Sequence, residues 1–179
     1  SLLYEGFSTL ELPTYHNLRQ LEVSSKMSSS ATTALIDLLS FLPNLESIVI
    51  AKASPLPLSN IWLEYSSFGF FKLKKVDDSG KQKVPECLLL QLKAVKVREF
   101  YGSRREQNII SFFLKESLVL QTMDIVFSST LAERWKDSQT LPQSLKDSSN
   151  LSQILKDGVM QRILTFPKGS TDCAINFSS

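Results

Sequence analysis

Apolar and polar positions alternate in four short segments of this chain. They are Leu18-Arg19-Gln20-Leu21-Glu22-Val23, Leu45-Glu46-Ser47-Ile48-Val49-Ile50, Leu92-Lys93-Ala94-Val95-Lys96-Val97 and Leu120-Gln121-Thr122-Met123-Asp124-Ile125. Each reads apolar-x-x-apolar-x-apolar. A period of two sends the fourth and sixth residues to one side of an extended backbone, and the third, fifth and seventh to the other. The pattern predicts strands over 18–23, 45–50, 92–97 and 120–126, with a last one over 174–177. A different period lies between them. Leu35, Leu38, Leu39 and Leu42 follow the i, i+3, i+4, i+7 stripe of an amphipathic helix over 31–42, stopped by Pro43-Asn44. Ile109, Ile110, Phe113 and Leu114 form a second stripe, with Ser103 as N-cap and Glu106 three residues on. A third helix, weakened by Gly158, is expected over 151–166, and the polar stretch 128–150 reads as a loop or a marginal helix.

The strand pattern also recurs at a fixed interval: Leu18 and Leu45 stand 27 positions apart, Leu92 and Leu120 28 apart. Spacing of roughly 20–29 residues is that of leucine-rich repeats, in which each unit adds a strand and a helix to a stacked core. The expected fold class is α/β, a solenoid-like segment with parallel strands on one face and helices on the other. The open sheet face would carry Gln20, Glu22, Ser24, Ser47, Val49, Ala51, Ala94, Lys96, Arg98, Thr122, Asp124 and Val126. Leu45 and Leu92 are 47 positions apart, more than one unit. The surplus holds Pro55, Pro57, an aromatic-rich run over 61–71 and the turn Asp77-Asp78-Ser79-Gly80, which predicts an inserted or edge hairpin. Two regions are expected: repeats with the hairpin over 1–83, and a second unit over 84–179.

Bulk composition narrows the chemistry. Twenty Lys plus Arg against 18 Asp plus Glu give a net charge of +2, too little to argue for nucleic acid or an acidic membrane as the main partner. Lys72, Lys74, Lys75, Lys81 and Lys83 cluster near Trp62, Phe68, Phe70 and Phe71, either as a polyanion patch or as a solvated hairpin edge over a core. No apolar run reaches the roughly 18–20 residues of a membrane span. The first residues lack the pattern of a signal peptide and an initiator Met, so a fragment or processed form in a reducing compartment, cytoplasm or nucleus, is expected. Cys87 and Cys173 read as core residues, and Asn150-Leu151-Ser152 and Asn176-Phe177-Ser178 as silent glycosylation matches. The single histidine, His16, has no nucleophile and acid tied to it, and no glycine-rich phosphate cradle or zinc spacing exists. The expectation is a non-enzyme without cofactor or metal. A small-molecule pocket near residues 62–71 is a further alternative.

Three longer stretches carry a resemblance. They are Val84-Pro85-Glu86-Cys87-Leu88-Leu89 leading to Leu92-Lys93-Ala94-Val95-Lys96-Val97-Arg98-Glu99-Phe100-Tyr101-Gly102, then Phe112-Phe113-Leu114-Lys115-Glu116-Ser117 with Leu120-Gln121-Thr122-Met123-Asp124-Ile125, and Ile163-Leu164-Thr165-Phe166-Pro167-Lys168-Gly169-Ser170-Thr171-Asp172-Cys173-Ala174-Ile175-Asn176-Phe177. In this order they resemble plant F-box proteins with leucine-rich repeats and a C-terminal FBD domain. Leu39-Ser40-Phe41-Leu42-Pro43-Asn44-Leu45-Glu46 is similar to that family's repeat region. The resemblance implies an FBD-like closing unit and a protein-interaction role in presenting a protein substrate to an SCF-type ubiquitin ligase. In the family a Skp1-type adaptor and cullin are reached through an F-box, and no such segment precedes Leu18. A scaffold or decoy without ligase coupling is therefore the alternative. The Asn or Cys of regular repeats, eight positions after the first Leu, is replaced by Lys26, Ala53, Phe100 and Ser128, which predicts an irregular backbone ladder. The expected partner contacts are Gln20, Glu22, Ser47, Val49, Lys96, Arg98, Thr122 and Asp124.

Overall fold

The computed structural model describes residues 13–25, 29–52, 84–136 and 141–179. Its strands are β1 (Gln20–Ser25), β2 (Ser47–Lys52), β3 (Ala94–Phe100), β4 (Thr122–Phe127) and β5 (Ala174–Ser178). Its helices are α1 (Ser29–Leu39), α2 (Glu86–Leu90), α3 (Arg104–Glu116), α4 (Leu131–Lys136), α5 (Gln143–Lys146) and α6 (Leu151–Leu164). The five strands form one open sheet in the order β1-β2-β3-β4-β5, and every neighbouring pair is parallel. Parallel neighbours need a crossover, and such crossovers are right-handed in nearly all proteins. Repeated steps in one direction therefore put the crossover helices on a single side. A doubly wound sheet, by contrast, reverses direction and opens a crevice at the reversal. Because β2 pairs in register with β3, the sheet runs unbroken past residues 83 and 84.

Strands β1 to β4 each begin two residues later than the apolar pattern predicts, and the backbone shows why. The carbonyl of Arg19 accepts from the N–H groups of both Glu46 and Ser47. That of Glu46 accepts from Lys93 and Ala94, and that of Lys93 from Gln121 and Thr122. The second residue of each segment is thus a forked acceptor that locks the next unit in place before the regular ladder starts. The leading leucines Leu45, Leu92 and Leu120 are buried just ahead of their strands. At β5 the fork shrinks to one bond, from the N–H of Ala174 to the carbonyl of Gln121.

One continuous core forms beneath the sheet. Val23, Ile48, Ile50, Val95, Val97, Met123 and Ile125, the fourth and sixth residues of their segments, meet Leu35 and Leu39 of α1 and Ile109, Ile110, Phe113 and Leu114 of α3. Leu21 is only partly buried, being on the edge strand. The predicted cap of α3 is present: the Ser103 hydroxyl accepts from the N–H of Glu106, and the Glu106 carboxylate accepts from the N–H of Ser103 at 2.8 Å. Helix α1 ends at Leu39 rather than at Leu42. The N–H groups of Ser40, Phe41 and Leu42 reach carbonyls three residues back, so the chain tightens into narrower turns ahead of Pro43. Sequence periodicity did not predict α2, a single turn after Pro85 that buries Cys87 and Leu88. Within 128–150 the described residues form the short helices α4 and α5. The predicted hairpin, the aromatic run 61–71, the lysine cluster at 72–83 and the pocket proposed there lie outside the described residues.

Candidate functional site: the polar face of the sheet

Register fixes which side chains stand in line across the sheet. One row is Gln20, Ser47, Ala94, Thr122 and Ala174. The next is Glu22, Val49, Lys96, Asp124 and Asn176, and Ser24, Ala51, Val126 and Ser178 continue the pattern two residues on. All eight residues expected to touch a partner stand in these rows or, for Arg98, just beyond Val97. Gln20, Glu22 and Arg98 are exposed, and Ser47, Val49, Lys96, Thr122 and Asp124 half-buried. Alternation thus gives the sheet a greasy side filled by helices and a polar side that the described helices do not cover.

Several of these polar groups are engaged with one another. A guanidinium nitrogen of Arg98 lies 3.1 Å from the Glu22 carboxylate, reaching from β3 across β2 to β1. Ala51 of β2, with its small side chain, leaves room for this bridge. The two side chains remain 47% and 58% exposed, so the pair contributes less than about 1 kcal/mol and can be exchanged for another partner. Asp124 accepts a hydrogen bond from the amide of Asn176 at 2.8 Å, which pre-positions its carboxylate toward β5 rather than toward Lys96. Lys96 itself has no ion-pair partner among the described residues. Along the lower rim Arg19 pairs with Glu46, and the Lys93 ammonium lies 3.8 Å from the same carboxylate.

Two contributions to the face escaped the sequence reading. The first is β5, whose Ala174, Asn176 and Ser178 extend every row by one place. The alternation of Ala174-Ile175-Asn176-Phe177 was the sign that could have found them. The second is the rim of Arg19, Glu46 and Lys93, a charge ladder written in the second residue of each segment.

At the far end of β3 the ladder slips. Pairing with β4 shifts between Val97 and Phe100, and Glu99 takes a left-handed backbone (φ 53°). Such a conformation costs a non-glycine residue roughly 1–2 kcal/mol. Ser128 braces the corner, donating its hydroxyl to the Glu99 carboxylate at 2.9 Å and accepting from the N–H of Thr130. Gly102 follows at φ 75°, and a Cβ there would come within 2.8 Å of Val159 in α6. Beside this corner lies a shallow cleft of about 170 Å³ lined by Tyr101, Ser103, Arg134 and Trp135. The Arg134 guanidinium sits 4.9 Å above the Tyr101 ring, and the Trp135 indole donates to the Tyr101 carbonyl at 2.8 Å. Its hydroxyls, cation and ring faces can hold a polar group by contact, and none of the four side chains is a general base or a thiol.

The reactive side chains singled out in the sequence are dispersed. His16 is exposed, and its carbonyl accepts from the Asn44 amide at 2.8 Å. Cys87 and Cys173 are buried free thiols. Burial pushes the Cys87 thiol up to about 11, and it raises Cys173 against the opposing pull of Lys168. Among the described residues no three His, Cys, Asp or Glu side chains are grouped to hold a metal ion. No described helix is long and apolar enough to cross a membrane.

No solved structure matches the chain. Residues 81–125, which run through α2, β3 and α3 into β4, match the FBD family model, so the chain carries an FBD segment at the centre of its sheet.

Proposed function

We propose that this chain is the non-enzymatic recognition part of an F-box-type ubiquitin-ligase subunit, holding a protein substrate on the polar face of the sheet. The observation that carries this reading is the register, which lines three rows of mostly polar side chains across five strands on the side the described helices leave open. The FBD match supports it, because FBD segments are associated with F-box proteins. The reading assigns ligase coupling, through a Skp1-type adaptor and cullin, to an F-box, and substrate holding to this face, at work in cytoplasm or nucleus.

Size favours a segment of the partner over a whole folded domain. Five strands at about 4.8 Å and five or six residues at about 3.3 Å give a face of roughly 20 by 20 Å, about 400 Å² in projection. That is about half of the ~800 Å² that each side of a standard interface buries. Affinity capture with the wild-type chain and with Val49→Glu tests the reading. Val49 is central and half-buried with its side chain in the middle row, so a carboxylate there adds an unpaired charge to the docking plane. Recovery of the wild-type partners should fall at least about tenfold, the loss expected when a like or unpaired charge is placed at an interface centre. Equal recovery with a folded variant overturns the proposal.

A further inference from the structure

We infer that the central strand β3 presents a short cationic track, Lys96 and Arg98 with Lys93 at its rim, that receives an extended acidic segment of the partner. The inference rests on the polar face being the docking surface and specifies what docks there. Lys96 and Arg98 follow one another on β3, and Lys93 stands at the rim one residue ahead of it, with β1 and β2 on one flank and β4 and β5 on the other. The carboxylates on the flanks already have partners. Glu46 is held by Arg19, Glu22 by Arg98, and Asp124 takes the Asn176 amide. Lys96, whose register neighbours are Val49 and Asp124, keeps an ammonium without an ion pair among the described residues. Lys93 meets only the outer edge of a carboxylate that Arg19 also holds, at 3.8 Å. The positive charge left without an ion pair on β3 is therefore that of Lys96, beside an exposed Arg98–Glu22 pair that can open to a competing carboxylate.

Spacing selects an extended occupant. Lys96 and Arg98, on the same side of β3, are about 7 Å apart at a rise near 3.3 Å per residue. An extended peptide repeats its same-side residues every ~7 Å, so carboxylates at every second position fall into step with this pair. The lower row is low: Ser47, Ala94 and Thr122 are small, while Val49 and Asp124 flank Lys96 in the row above. Exposed cations of this kind also draw an acidic chain in from a distance, an effect that salt weakens.

The experiment uses the whole chain and two fluorescein-labelled peptides, a Glu-Ser repeat and a Gln-Ser repeat, read by fluorescence anisotropy. The Glu-Ser peptide should bind at least about fivefold more tightly than the Gln-Ser peptide, and less so as salt rises. Lys96→Glu should abolish that preference, Lys96→Arg should keep it, and Arg104→Glu, on the exposed start of α3, should leave it intact. Thermal unfolding of each variant checks that it is folded. Equal binding of the two peptides overturns the inference, as does an equal loss with Arg104→Glu. Oligodeoxythymidine that binds as tightly as the Glu-Ser peptide also overturns it, because the track would then be a general polyanion patch. Partner capture that falls with Val49→Glu but not with Lys96→Glu removes the acidic segment and leaves the face. Capture indifferent to both removes the face as well.

Discussion

Between β3 and β4 the chain crosses the sheet on one long helix; between β4 and β5 it uses three. Helix α3 is capped at its start by the reciprocal Ser103–Glu106 bonds and buries Ile109, Ile110, Phe113 and Leu114 beneath the strands. Helix α6 is one residue longer yet buries only Leu151 and Ile163, starts at Asn150 without a side-chain cap, and carries Gly158, where an added Cβ would meet nothing beyond its own helix within 4 Å. The strands that follow are nevertheless placed alike: β4 and β5 both add in parallel at the next position. What a strand needs in order to join this sheet is its own inward pair, Met123 and Ile125 or Ile175 and Phe177, and an acceptor just ahead of the preceding strand, Lys93 for β4 and Gln121 for β5. The quality of the helix decides how firmly the crossover is held.

The sharpest way to test this contrast is a cavity. Phe113 is fully buried in α3, and Phe113→Ala should cost about 3–5 kcal/mol in urea unfolding, whereas Met160→Ala in the half-buried face of α6 should cost well under half as much. A similar loss from both would show that α6 is as firmly packed as α3.

A smaller effect separates the two thiols. Cys87 packs under α3's side of the core, and its folded-state pKa of about 11 lies above the ordinary 9.0. The folded state thus prefers the protonated thiol. The resulting stabilisation is complete below pH 9 and is lost as pH rises through about 11, a change of order 2 kcal/mol. Comparing urea unfolding of wild type and Cys87→Val at pH 8 and at strongly alkaline pH isolates this slope. The matching comparison with Cys173→Val should show a shallower one, since Lys168 partly offsets the burial there. Identical slopes would count against the difference in packing.

The smallest expected effect is at the helix starts. Ser103→Ala removes a capping box and should cost about 1 kcal/mol, while Asn150→Ala removes no side-chain cap bond and should stay within about 0.5 kcal/mol. Thermal unfolding of the two variants reads the difference directly.

Much of this arrangement was legible in the sequence, and the gaps have physical causes. The inward pairs revealed four strands because each is a half-buried ribbon with one greasy side. The last strand was legible from its final residues although Asp172 stands where the other segments have leucine, since Ile175 and Phe177 alone set its orientation. The strand starts were misplaced by two residues because a buried leucine looks the same whether its backbone is extended or forked around a carbonyl. Helix α2 was missed because a single turn has no period to detect. The face residues were placed by alternation, but their pairing was not: the Arg98–Glu22 bridge spans two strands and 76 positions of sequence, and no local pattern encodes it.

Because each strand is tied to its neighbour by a short set of backbone bonds, the length of chain between them is nearly free to vary. The crossover into β5 is about twice as long as the one into β4, and doubling a loop adds only ~0.6 kcal/mol of closure entropy. Insertions on the helical side can thus accumulate without disturbing the order of side chains on the opposite side. The protein can change its outer bulk while keeping the same printed line of charges in view of whatever it meets.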